Sequence, residues 1–156
     1  MNKINRNLNR PLNWLIYAKK NNLHLENVKI EKGENYINKE KNFKFSLYYD
    51  ISFHIYYKKR IISLINIKLD LKYLDFLNNK IFLQSLYDHL ENFESLTYSQ
   101  NLIMSYLNKE ESILFDKNIG DHIILLKKQT YHKGNIFLYE EEISRINSYS
   151  FKEVVF

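Results

Sequence analysis

The chain has 156 residues, with 23 Lys+Arg against 18 Asp+Glu, 45% hydrophobic residues, one proline, three glycines and no cysteine. That length fits one domain, the apolar content excludes a disordered tail, and no apolar run reaches the roughly 18–20 residues of a membrane span. Without cysteine there is no disulfide framework, no thiolate metal site and no cysteine nucleophile.

Ala18 is the only alanine, arginine occurs four times, and glycine and proline are scarce as well. Residues with GC-rich codons are depleted together, which points to a very AT-rich genome. Lysine is then plentiful for reasons of coding, and the net +5 is only a weak sign of an anionic partner. The distribution of charge says more. Residues 1–60 carry 13 basic and 5 acidic residues, 61–126 carry 5 and 9, and 127–156 carry 5 and 4.

The first 25 residues contain no acid. They read either as a basic arm lying along phosphates or as an organelle-targeting peptide, and their asparagine-rich composition suits the arm better. Trp14, Leu15 and Ala18 fit a short helix over 13–21, limited at its start by Pro11. Residues 31–41 lack an apolar period and read as loop. From Phe43 the period becomes two: Phe43, Phe45, Leu47 and Tyr49, then Ile51, Phe53, Ile55 and Tyr57. Ile65, Ile67, Leu69, Leu71 and Tyr73 alternate with Asn66, Lys68, Asp70 and Lys72 in the clearest strand. Asn78-Asn79 suits a hairpin turn, and 81–86 and 112–115 read as further strands.

One helix is expected after Asp116 or Asn118, with Ile119, Ile123 and Leu126 at i, i+4, i+7 and Lys127-Lys128 closing it. Residues 135–139 read as extended and 140–146 as a short closing turn. The expected fold is α+β, an antiparallel sheet with one packed helix. It is preceded by a divergent basic segment over 1–59, and the domain proper spans 60–156.

Several elements in the second half fall in a familiar order. They are Leu64 to Tyr73, Ser85-Leu86-Tyr87-Asp88-His89, Ser112 to Lys117 with Asp116-Lys117, Gly120, and His132-Lys133-Gly134-Asn135 running on to Tyr139. Over about residues 60–151 this order resembles the carboxy-terminal domain of the large-subunit ribosomal protein six family, in its bacterial and organellar form. Ile136 stands where that family has a second glycine, and the amino-terminal 59 residues would be a truncated first repeat. The resemblance implies a structural constituent of the large ribosomal subunit, bound to rRNA near the translation-factor-binding region and to neighbouring ribosomal proteins. Its rRNA-binding residues would be His89, Lys127, Lys128, His132, Lys133, Gly134, Asn135 and Arg145. Arg145 would either clamp a phosphate or pair with Glu142 one helical turn back. The compositional bias then suggests a mitochondrial product, with a plastid or a bacterial cytoplasm as alternatives.

Other chemistry finds little support in the residues. His24, His54, His89, His122 and His132 show no metal-ligand spacing. Glu140-Glu141-Glu142 reads as a solvated face, and Phe53, Tyr48, Tyr56 and Tyr57 as core or sheet-edge residues rather than a base-stacking platform. No enzyme, cofactor, membrane or small-molecule substrate is expected. The rival reading is a non-ribosomal interaction subunit of a multiprotein assembly in an AT-rich bacterium.

Overall fold

The structure, a computed structural model, describes residues 4–7, 13–72, 82–92, 96–146 and 149–152. The element order is β1 (Ile4–Asn7), α1 (Trp14–Lys20), β2 (His24–Asn38), β3 (Phe43–Tyr57), β4 (Arg60–Asp70), α2 (Phe82–Asn92), β5 (Leu96–Tyr106), α3 (Lys109–Phe115), β6 (His122–His132), β7 (Asn135–Ser144) and β8 (Tyr149–Lys152). Six strands form one antiparallel sheet in the order β2-β3-β4-β7-β6-β5, and β1 pairs in parallel with β8. Strands from both sides of residue 60 therefore share one sheet.

In an antiparallel ladder, directly opposed residues share a face, so the register maps each face of the sheet. One face carries Ile51, Phe53 and Ile55 of β3 beside Ile67, Ile65 and Ser63 of β4, then Glu140, Glu142 and Ser144 of β7. The helices α1 and α2 cover it. Trp14, Ala18, Leu86, Tyr87 and Leu90 join Ile51, Phe53, Ile55, Ile65 and Ile67 in the main core. Each large apolar side chain buried there contributes about 1.5–3 kcal/mol. The Asn13 side chain caps α1 by accepting from the Leu15 and Ile16 amides at 3.1 and 3.3 Å.

The opposite face is covered in two parts. Near one end Phe115 of α3 packs with Ile61, Leu107 and Ile123. Elsewhere the long β2–β3 hairpin reaches across the sheet: Tyr36 and Phe43 meet Tyr139, Glu40 pairs with Lys127 at 2.6 Å, and Lys41 donates to Asn101 at 3.1 Å. Asp50 sits beneath this hairpin between Lys29 and Lys68, both at 2.7 Å, and accepts from Asn66 at 2.8 Å.

Several expectations are corrected. The fold is a six-stranded, sheet-dominated architecture rather than an antiparallel sheet with one packed helix. The expected helix over 116–128 is strand β6 for most of its length, while 112–115 belongs to helix α3 and 82–86 to helix α2. Residues 31–38, expected as loop, continue β2, and β7 runs on to Ser144 where a closing turn was expected. The helix from residue 14, the extended run 43–57 and the strand through Ile65, Ile67 and Leu69 lie where the pattern put them. The Asn78-Asn79 turn lies outside the described residues.

Candidate ligand-binding site

The helix-covered face changes character across the sheet. Reading along the register, Ile51 and Ile67 lead to Glu140, Lys128 and Gln100; Tyr49 and Leu69 lead to Leu138, Thr130 and Tyr98; Phe53 and Ile65 lead to Glu142, Leu126 and Leu102. The β3–β4 half is apolar. The β7–β6–β5 half is studded with charge and hydrogen-bonding groups that are nonetheless buried: Lys128 is 5% exposed, Glu140 7%, Glu142 8% and Thr130 0%.

Burying a charge without a partner is very costly, so the pairing in this half is informative. Lys128 and Glu140, directly opposite across β6 and β7, form an ion pair. Glu142 accepts from the indole nitrogen of Trp14 at 3.2 Å, which ties α1 to the centre of the sheet. The Thr130 hydroxyl has no hydrogen-bond partner among the described residues, although buried hydroxyls ordinarily find one. From α2, Tyr87 is buried, and His89 is half buried, with desolvation lowering its pKa. Burial likewise raises the Tyr98 hydroxyl. This is a water-poor wall offering a cation, carboxylates, an amide and hydroxyls, which suits recognition of a small polar molecule rather than a long polyanion. Among the described residues no group of three His, Asp or Glu could hold a metal ion.

The residues singled out from the sequence scatter over the fold. Lys128 lies in this buried cluster and His89 on the helix above the same face. Lys127 points to the other face and bridges to Glu40. Lys133 and Gly134 form the exposed β6–β7 turn with φ of 50° and 78°, and Asn135 follows them. His132 and Asn135 line an open concavity of about 540 Å³ with Lys44, Asp70 and Lys72. Arg145 is buried with desolvation lowering its pKa, and its guanidinium donates to the carbonyl oxygens of Ile61 and Phe115 rather than pairing with Glu142. It therefore anchors the end of α3 to the start of β4.

Sequence reasoning missed Glu140, Glu142, Thr130, Gln100 and Tyr98. A signal was present: each stands in phase with a strand's apolar face, as Glu140 and Glu142 do with Leu138. The glutamate run expected to be a solvated face has its first and third members buried.

The sheet has counterparts among solved structures. The C-terminal domain of the histidine utilization repressor from Pseudomonas syringae superposes with a TM-score of 0.70 at 11% identity, covering 86% of this chain and 99% of that one. A domain from Bordetella bronchiseptica, described as the ligand-binding domain of a GntR-family transcriptional regulator, gives 0.68 at 10% identity over 86% and 91%. YydK of Bacillus subtilis, described as a transcriptional regulator, gives 0.69 at 14% over 86% of this chain; the chain spans 62% of YydK's length. At such identities these likenesses establish the fold alone. The UTRA domain family model matches residues 43–150, and the chain belongs to that family. No curated protein sequence matches it.

These findings overturn the ribosomal reading. The resemblance to ribosomal protein six rested on five short elements in sequence order, and neither the strand order nor the family match supports it. The expected partners, rRNA and ribosomal proteins, fall with it.

Proposed function

We propose that this chain is the ligand-sensing domain of a transcriptional regulator, in which a small polar molecule is held between α2 and the β7–β6–β5 half of the sheet. Membership of the UTRA family supports the regulatory part of the reading. The observation that carries the site is the row Glu140–Lys128–Gln100, buried at Glu140 and Lys128, with the orphan Thr130 hydroxyl beside it. A ligand that hydrogen-bonds to the Thr130 hydroxyl supplies what the fold leaves unmet there. The role is non-catalytic: binding energy is spent on stabilising one arrangement of the domain, which a regulator transmits to its DNA-binding part. A bacterial cytoplasmic setting goes with this reading.

Trp14 is the only tryptophan, and its indole is hydrogen-bonded to Glu142 at the edge of the cluster. Titration of the protein with small polar metabolites should change Trp14 fluorescence saturably for one chemical class. Thr130→Val, nearly isosteric and without the hydroxyl, should weaken that response about tenfold, in line with a buried hydrogen bond to ligand of about 1.4 kcal/mol. Binding that is unaffected by Thr130→Val and by Lys128→Met would place the ligand elsewhere.

A further inference from the structure

Among the described residues, the left-handed backbone region is filled mostly by residues suited to it: Asn22, Asn35, Asn42, Asp116, Gly120 and Gly134. The turn joining β3 to β4 is an exception. Its central residues are Lys58 and Lys59, with φ of 47° and 65°, between the paired Tyr57 and Arg60. A turn with positive φ at both positions favours Asn-Gly, and lysine there brings its Cβ too close to the following carbonyl oxygen. Lys133, the other lysine in this region, has Gly134 beside it. Codon bias does not account for the pair of lysines. Asparagine codons are as AT-rich as lysine codons, and asparagine fills such positions elsewhere in the chain.

Charge adds a second cost. Lys58, Lys59 and Arg60 are consecutive and exposed, and none forms an ion pair with a carboxylate among the described residues. Desolvation first, and then the charge of Arg60, lowers the pKa of the buried Arg145. Lys19 and Lys20 reach the same end of the sheet, because α1 passes through Asn21 and Asn22 into β2 at His24, opposite Tyr56. Like charges gathered in this way repel one another, and an anion supplied from outside relieves them. No large apolar side chain is exposed within residues 17–27 or 56–62. Protein interfaces ordinarily have an apolar centre, whereas a phosphate backbone asks only for cations.

We propose that this end of the sheet is a phosphate-contact surface through which the domain itself rests on duplex DNA, the turn lysines giving up stability for charge at the contact. Such contacts position a protein on the duplex and carry no sequence preference. The surface is separate from the Lys128–Glu140 site and works whether or not a small molecule binds there.

Fluorescence anisotropy of the full chain with a labelled duplex of arbitrary sequence, over a salt series, tests the surface. With Lys19, Lys20, Lys58, Lys59 and Arg60 all engaged, the logarithm of the affinity should fall with that of salt at a slope of about −4.5. Lys58→Asn with Lys59→Gly should lower the magnitude of that slope by about 2 and weaken binding about tenfold at low salt. The same variant should raise Tm by about 2–8 °C, since the turn then holds its preferred residues. Lys72→Gln with Lys133→Asn removes two exposed cations from the opposite end of the sheet and should change the slope little. A turn variant that binds DNA as wild type does, equal losses in the two double variants, or a turn variant with unchanged or lowered Tm would overturn the proposal. So would polyglutamate competing as well as DNA at equal charge, the mark of an acidic protein partner.

Discussion

At the scale of single residues, the pairing of Lys128 with Glu140 makes a sharp thermodynamic statement. Neither charge is tolerable alone in that environment, but the pair itself need not stabilise the fold, because desolvation offsets its attraction. Glu140→Ala should therefore destabilise the protein by about 3–5 kcal/mol, leaving a buried ammonium without its carboxylate. The double variant Lys128→Met with Glu140→Leu should recover most of that loss, since it replaces both charges with apolar groups of similar size. Urea denaturation of wild type, single and double variants measures the difference. Equal destabilisation by the single and the double variant would mean that the ion pair, and not its unpaired remnant, holds this part of the core. The same double variant should stay folded while lacking the Lys128–Glu140 charge pair of the site.

At the scale of elements, turns and caps can be tested separately from the core. Asn108 caps α3 by accepting from the Glu111 amide at 2.8 Å, while the Glu111 carboxylate accepts from the Asn108 amide at 3.0 Å. Asn108→Ala should cost about 1 kcal/mol, read as a lowered Tm. Gly33 offers a second test. A Cβ there would overlap the ring of Tyr48, which is itself packed against Tyr36. Gly33→Ala should destabilise by about 1–3 kcal/mol, and the smaller side chain of Tyr48→Ser should reduce that penalty.

The same elements explain what could be read from the sequence and what could not. β3 and β4 were legible because one face is apolar and the other polar for most of their length, so the period of two survives. β6 was not. Ile123, Ile124, Leu126, Lys128, Gln129 and Thr130 are all buried, because α2 covers one face of the sheet while α3 and the β2–β3 hairpin cover the other. A strand buried on both sides loses its alternation, and Ile119, Ile123 and Leu126 then imitate a helical period. β2 failed for the converse reason: as an outer strand it is charged on both faces and looks like a loop. Two of the five elements of the ribosomal resemblance were Asp116-Lys117 and Lys133-Gly134. Asp116 is the left-handed cap of α3, and Lys133 and Gly134 both have positive φ in a tight hairpin. Such punctuation recurs wherever strands and helices must stop, in unrelated folds. Lys128 and His89 stand out in the sequence only as residues for rRNA, and the carboxylates beside them are hidden because a run of glutamates ordinarily faces solvent.

At the scale of the whole molecule, burial of titrating groups sets the response to acid. His54 and His89 have pKa values lowered by desolvation. Well above about pH 6.5 both are neutral whether the chain is folded or not; as pH falls through that value the unfolded chain takes up protons that the fold resists, and stability declines. Asp50 acts lower. Burial by itself would raise it, but Lys29, Lys68 and Asn66 hold its carboxyl below the usual range. The stability it contributes is complete above about pH 4 and is lost as pH falls through its lower folded value. Asp70, raised by burial, works in the opposite sense and softens that second loss. The urea midpoint should change little from about pH 8 to 7, fall from about 6.5, and fall again below about 4. Asp50→Asn should blunt the second fall and leave the first.

The central claim is that the polar half of the helix-covered face exists to hold a small molecule. Thermal-shift screening of wild type against small polar metabolites, run beside the Lys128→Met, Glu140→Leu double variant, tests it most directly. One class of compound should raise the wild-type Tm, by several degrees at concentrations about 100-fold above Kd, and leave the folded double variant unmoved. Stabilisation of both proteins alike, or of neither by any compound, would contradict it.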